Sequence, residues 1–169
     1  MRPDKFTSKL QEALSDAQSL AVGKDHNQIE PIHLLAALID QRGGSIRPLL
    51  KQAGAQLPVL TRKIGEALDR LPVVSSPDGD IRLSQEMAKL FNVSDKLAQQ
   101  RGDQFVASEL LLLAMVSDKG EAGKVLQASG ITQATLLETI NTVRGGEAVM
   151  DSNAEENRQS LDKYCIDLT

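Results

Sequence analysis

Residues 29–39 read IEPIHLLAALI and residues 106–116 read VASELLLLAMV, two apolar runs of equal length and similar shape. They lie 77 positions apart, and the same offset places Leu20-Ala21 on Leu97-Ala98 and Leu34-Leu35 on Leu111-Leu112. After a one-residue deletion the offset becomes 76, so that LLKQAG (49–54) falls on VLQASG (125–130) and Ile64 on Ile140. The chain is therefore an internal duplication, and neither copy can bury its apolar faces alone. Two such units are expected to pack against each other around one shared core.

Within each copy the periodicity is helical. Leu10, Ala13, Leu14, Ala17, Leu20 and Ala21 form a stripe along one face. Gly23 and the polar KDHNQ close that helix, and Pro31 suits the first turn of the next, where a missing N–H costs little. Gly43-Gly44 ends the second helix, Ser45 can cap a short third, and Leu57 to Leu71 reads as a fourth, stopped near Pro72. SSPDGD (75–80) carries turn chemistry and reads as a loop between halves. The expected fold is all-α, with about eight helices in two pseudo-twofold four-helix repeats, over residues 1–73 and 81–145. Gly145-Gly146 ends the last helix. Residues 146–169 read as a flexible linker toward another folded unit, which the closing QSLDKYCIDLT approaches.

Composition narrows the function. Hydrophobic residues make up 41% and charged residues 25%, as in soluble globular domains. Aromatics are 2%, which argues against base-stacking nucleic-acid modules, and no basic cluster interrupts a net charge of −4. The single Cys165 excludes a disulfide framework and a multi-cysteine zinc site. The start, MRPDKFTSKLQEAL, lacks a signal peptide's apolar stretch, and LLLLAMV is too short to span a bilayer. A soluble cytoplasmic domain follows as the expectation, with no nucleic-acid or membrane partner, no metal site and no catalytic residues. His33, at the head of its helix without neighbouring ligands, reads as a packing residue.

The differences between the copies carry the functional signal. On a helical wheel the core stripes coincide, Leu10, Leu14 and Ala17 lying over Met87, Phe91 and Ser94. On the flank, Asp16 becomes Val93, Gln28 becomes Phe105 and His33 becomes Leu110, while Leu97 lies one turn from Val93. Ile32 to Glu109 runs in the opposite direction. Val93, Leu97, Phe105 and Leu110 are thus expected to line a shallow apolar groove for partner segments. On that expectation Leu97→Gln or Leu110→Gln weakens binding with little loss of helicity.

The MRPDKFTSKLQEALSDAQSLA opening, the paired IEPIHLLAAL and ASELLLLAM helices and the DKLAQQRGDQF link resemble the amino-terminal repeat domain of the Clp/Hsp-type AAA+ ATPases. RGGEAVMD followed by LDKYCIDLT is similar to the segment leading into the first ATPase module of the disaggregase branch, rather than the protease-coupled branch. The resemblance implies a domain that transiently binds exposed hydrophobic segments of unfolded or aggregated proteins and delivers them to an ATP-driven ring. Docking of a folded adaptor is the alternative. It also implies a homohexameric parent that binds ATP and Mg in modules absent here and cooperates with the DnaK chaperone system, with this fragment monomeric. No G-x-x-x-x-G-K-[ST] string occurs, so the fragment itself is not expected to bind or hydrolyse ATP. Thr7, Asp103 and Glu109 fall on positions that the resemblance marks as important. Thr7 can cap helix one and Ser108 can cap the helix that carries Glu109; caps and turn-setting hydrogen bonds are one reading of the three residues, and two carboxylates that rim the groove are the other.

Overall fold

A computed structural model describes residues 5–74, 81–145, 148–150 and 152. Among them are eight helices: α1 (Ser8–Gly23), α2 (Pro31–Asp40), α3 (Ile46–Gln52), α4 (Leu57–Asp69), α5 (Gln85–Arg101), α6 (Ser108–Ser117), α7 (Glu121–Ala128) and α8 (Gln133–Arg144). The loop expected at 75–80 lies outside the described residues.

The duplication is visible in how the helices begin and end. Thr7 and Ser84, 77 positions apart, are both extended N-cap residues whose hydroxyls accept from the backbone N–H three residues on, Leu10 at 3.3 Å and Met87 at 3.1 Å. Each satisfies one of the orphan donors of a first turn. Gly54 and Gly130 close α3 and α7 in left-handed conformations, at φ 100° and 102°. Such a backbone is easily reached only without a Cβ. Gly123, in the middle of α7, is required for another reason: a Cβ there would overlap the Asp118 carbonyl oxygen.

α2 and α6, the two runs that revealed the repeat, are the hubs. Nine of the ten residues in each helix are buried, Pro31 to Ile39 in α2 and Ser108 to Val116 in α6. α1 packs on α2 and α5 on α6, while α4 and α2 meet α7 and α3 meets α8 across the halves. One contiguous apolar core results. Burial of this kind, not helix propensity, stabilises helices as short as α3 and α7.

Two short parallel pairings tie the halves together, an addition to the all-helical expectation. β1 (Gln28–Ile29) pairs with β2 (Arg82–Leu83), with Ile29 opposite Leu83. Phe6 pairs with Val106. Under the 77-residue offset Phe6 corresponds to Leu83 and Ile29 to Val106, so the second pairing is the first with its partners exchanged. Each copy thus supplies the leading strand for the other. Phe6 also meets Phe91 edge to face, ring centroids 5.2 Å apart, across the same seam.

Candidate functional site

The four residues expected to line one groove are distributed over three environments. Val93 and Leu97 lie one turn apart on α5; Val93 is 44% exposed, and Leu97 is half-buried against the core. Arg101, a further turn along the same face, donates through Nη1 and Nη2 to Asn141 Oδ1 of α8, at 3.0 and 2.6 Å. Leu137, one turn before Asn141, is 38% exposed. Two apolar side chains of α5 and one of α8 therefore flank an Arg101–Asn141 bridge. Leu137 also carries a signal in the copy comparison: under the 76-residue offset Thr61 of the first copy becomes this leucine, a polar-to-apolar change on α8 that a comparison of the α5 flank does not include. Phe105 is half-buried in the loop between α5 and α6.

Leu110 corrects the expectation. It is fully buried in the core and presents nothing to a partner. A helical wheel opens a flank only where one side of a helix faces water. α6 is covered on nearly every side, so replacing His33 by leucine in this copy filled the core instead of the surface.

The polar candidates also lie elsewhere than on a rim. Thr7 is fully buried as the α1 cap. Asp103 and Glu109 converge on Arg144, the last residue of α8. Its Nη1 donates to Asp103 Oδ1 and Oδ2 at 3.0 and 2.8 Å, and its Nε donates to Glu109 Oε1 at 3.0 Å. The side chains of Arg144, Asp103 and Glu109 are 3%, 0% and 3% exposed. Burial alone would push Arg144 toward losing its proton; the charges of Glu109 and Asp103 and their hydrogen bonds outweigh it and raise its pKa above the ordinary value. Ala107, not Ser108, is the N-cap of α6, which puts Glu109 in the first turn, where the helix dipole favours a carboxylate. The expectation of two groove-rimming carboxylates is thus replaced by a buried ionic cluster.

The sequence held a signal for that cluster. The first copy has His26, Ile32 and Leu68 where the second has Asp103, Glu109 and Arg144. Two apolar core positions turned into opposite charges within one copy point to a buried pair.

His33 does more than fill space. Glu30 N–H donates to its Nδ1 at 2.8 Å, a ring nitrogen in the role of a capping-box side chain. Nδ1 must then be bare, so the proton sits on Nε2, which faces His26 Nδ1 at 2.8 Å and donates to it. Both rings are buried. An added proton, on His33 Nδ1 or on His26 Nδ1, removes an acceptor and breaks this chain of donors. Burial, with the nearby His26 and Lys24 charges, lowers the His33 pKa to about 4, and burial lowers that of His26 as well. The unfolded chain therefore takes up these protons first. The contribution to stability is complete above about pH 6.5 and is lost as pH falls from there toward 4, about 2 kcal/mol for His33 by pH 5. Urea unfolding at pH 7 and pH 5 is expected to show this loss, and His33→Gln is expected to flatten the slope. An unchanged slope in the variant would remove His33 from the account. Among the described residues no group of three or more His, Cys, Asp or Glu side chains is arranged to hold a metal ion.

The segment after α8 reaches back to the site. Val149 is buried, its N–H donates to Asp103 Oδ1 at 2.8 Å, and its carbonyl accepts from Gln104 N–H at 2.7 Å and Phe105 N–H at 3.3 Å. Ser8 N–H donates to the Ser152 carbonyl at 2.8 Å. The domain thus extends beyond residue 145, because residues 149 and 152 are held by it; residues 153–169 lie outside the described ones. No helix among the described residues is long and apolar enough to cross a membrane.

Comparison with known proteins agrees with this architecture. The chain is 54% identical over 169 residues to the chaperone protein ClpB of Pseudomonas putida and 53% identical to that of Vibrio cholerae. These matches cover all of this chain and 20% of each relative, so the chain spans about a fifth of their length. Among solved structures, the N-terminal domain of Hsp104 from Candida albicans superposes with a TM-score of 0.80 at 24% identity, covering 89% of this chain and 99% of that one. A ClpV N-domain in complex with a VipB peptide gives 0.66 at 18% identity, covering 86% and 90%. The family model for the Clp repeat (R) N-terminal domain matches residues 5–129, and with the duplicated four-helix units described above, the chain belongs to that family.

Proposed function

We propose that this domain captures exposed hydrophobic segments of unfolded or aggregated proteins for a ClpB-type disaggregase. Its longer parent would be a homohexameric cytoplasmic AAA+ ATPase that binds ATP and Mg in modules outside this chain and works with the DnaK system. What supports the reading is one observation above all: Val93 on α5 and Leu137 on α8 are exposed, with Leu97 half-buried, on the two helices that the Arg101–Asn141 bridge joins. Apolar side chains brought together by tertiary structure and rimmed by polar groups are the chemistry of a partner surface. The high identity to ClpB chaperones suggests the client class, and a ClpV N-domain, which has this fold, forms a complex with a VipB peptide. A small patch gives weak binding, which suits a client that must be passed on.

The test is a titration of the 169-residue chain with reduced, carboxymethylated α-lactalbumin, followed through backbone amide shifts. Perturbations are expected at Val93, Leu97, Arg101 and Leu137. Leu97→Gln is expected to weaken binding by about 1–1.5 kcal/mol, roughly tenfold in Kd, with helicity intact. Undiminished affinity would sink the assignment. Shifts confined instead to the cleft of about 280 Å³ between His26, Glu30, Leu71 and Glu86 would favour docking of a folded adaptor.

A further inference from the structure

The 103–105 loop engages both the backbone N–H and the backbone carbonyl of one residue, Val149. Val149 gives its N–H to the Asp103 carboxylate and receives two N–H groups, from Gln104 and Phe105, on its carbonyl. The residue is 3% exposed. None of these contacts reads anything specific to valine except an apolar side chain of moderate size. That is the logic of sites that recognise extended peptides: main-chain hydrogen bonds supply affinity, and a pocket selects the side chain.

The first repeat shows that the fold does not demand this arrangement. Under the 76-residue offset Val73 corresponds to Val149, and it is 68% exposed. There the post-helical segment is held by Val74 N–H on the Asp25 carbonyl, 2.9 Å. The positions matching Asp103, Gln104 and Phe105 are His26, Asn27 and Gln28. The carboxylate acceptor and the aromatic loop belong to the second copy alone. Arg144 holds both oxygens of that carboxylate, and Oδ1 accepts in addition from the bound N–H.

We infer that the 103–105 loop is a second binding point for extended apolar segments, filled in the resting domain by the chain's own Val149. Client and tail segment exchange at this clamp. The inference takes its ligand class from the client-capture reading, while the clamp stands on its own geometry. A tethered occupant lowers the apparent affinity of an outside segment by the fraction of time the clamp is filled.

The experiment uses the 169-residue chain and a labelled synthetic peptide, acetyl-GEAVMDSN-amide, copied from residues 146–153. Val149→Asp places a carboxylate against Asp103 and empties the clamp; it lies outside every helix. This variant is expected to bind the peptide at least tenfold more tightly than the unaltered chain, and carboxymethylated α-lactalbumin is expected to displace it. In the unaltered chain, adding that client is expected to deprotect the Val149 amide to hydrogen exchange while Gln104 stays protected. The exchange measurement needs no variant. No gain in peptide affinity together with an unchanged Val149 amide would overturn the inference. So would peptide binding that the client never displaces. If the client still binds in a manner sensitive to Leu97→Gln in either case, capture at α5 stands and only the clamp fails.

Discussion

Arg144→Ala is expected to cost about 3–5 kcal/mol of stability, the range for removing one partner from a buried ionic cluster. The guanidinium hydrogen-bonds both Asp103 and Glu109, and both carboxylates are buried. Without it two buried carboxylates lose a charge that offsets their desolvation. For a domain of this size the melting temperature should fall by about 10 °C. The cluster is not thereby a net source of stability, since well-packed apolar groups often replace buried pairs at little cost. The first repeat shows the apolar solution, with Ile32 and Leu68 at the matching positions. Combining Asp103→Asn, Glu109→Ile and Arg144→Leu is expected to recover most of the loss, because the amide oxygen still accepts from Val149 N–H. Urea unfolding followed by circular dichroism reads both results. A single variant within 1 kcal/mol of the parent would show that solvent or rearrangement relieves the charges.

Leu110→Gln is expected to destabilise the fold by about 3–5 kcal/mol, the sum of lost apolar burial and an amide left without partners. Leu110 is enclosed in the core through α6. Leu97→Gln, by contrast, sits on a half-buried flank of α5 and is expected to cost less than about 1.5 kcal/mol. The two leucines look equivalent on a wheel, and the structure separates them. Measured side by side, the pair distinguishes a binding defect from a folding defect. Equal and small losses for both would mean that α6 is less enclosed than its burial indicates.

Much of the architecture was legible because it is written in local period. The stripe from Leu10 to Ala21 gave α1, Pro31 and the apolar run gave α2, and the offset gave the second set without separate reasoning. Of the candidate site, Val93 was legible as an exposed apolar position on α5 and Leu97 as its half-buried neighbour, since that helix has a true solvent face. Leu110 was misread because α6 has none. Asp103 and Glu109 were singled out as polar positions, but their partner Arg144 lies 41 and 35 residues away and carries no periodic mark.

The sequence by itself determined that two related four-helix units exist and that each has an apolar run too greasy to stand alone. Tertiary structure alone decided the exchange of leading strands at Phe6–Val106 and Ile29–Leu83, the bonding pattern of the charge cluster that the copy comparison only signals, and the return of Val149 to the loop after α5. The physical reason is range. Helical period and capping act over three or four residues and leave their pattern in any short window. Pairings between residues 100 or more apart in the chain, such as Phe6 with Val106, depend on where the closed core places each backbone, and no window of sequence contains both partners.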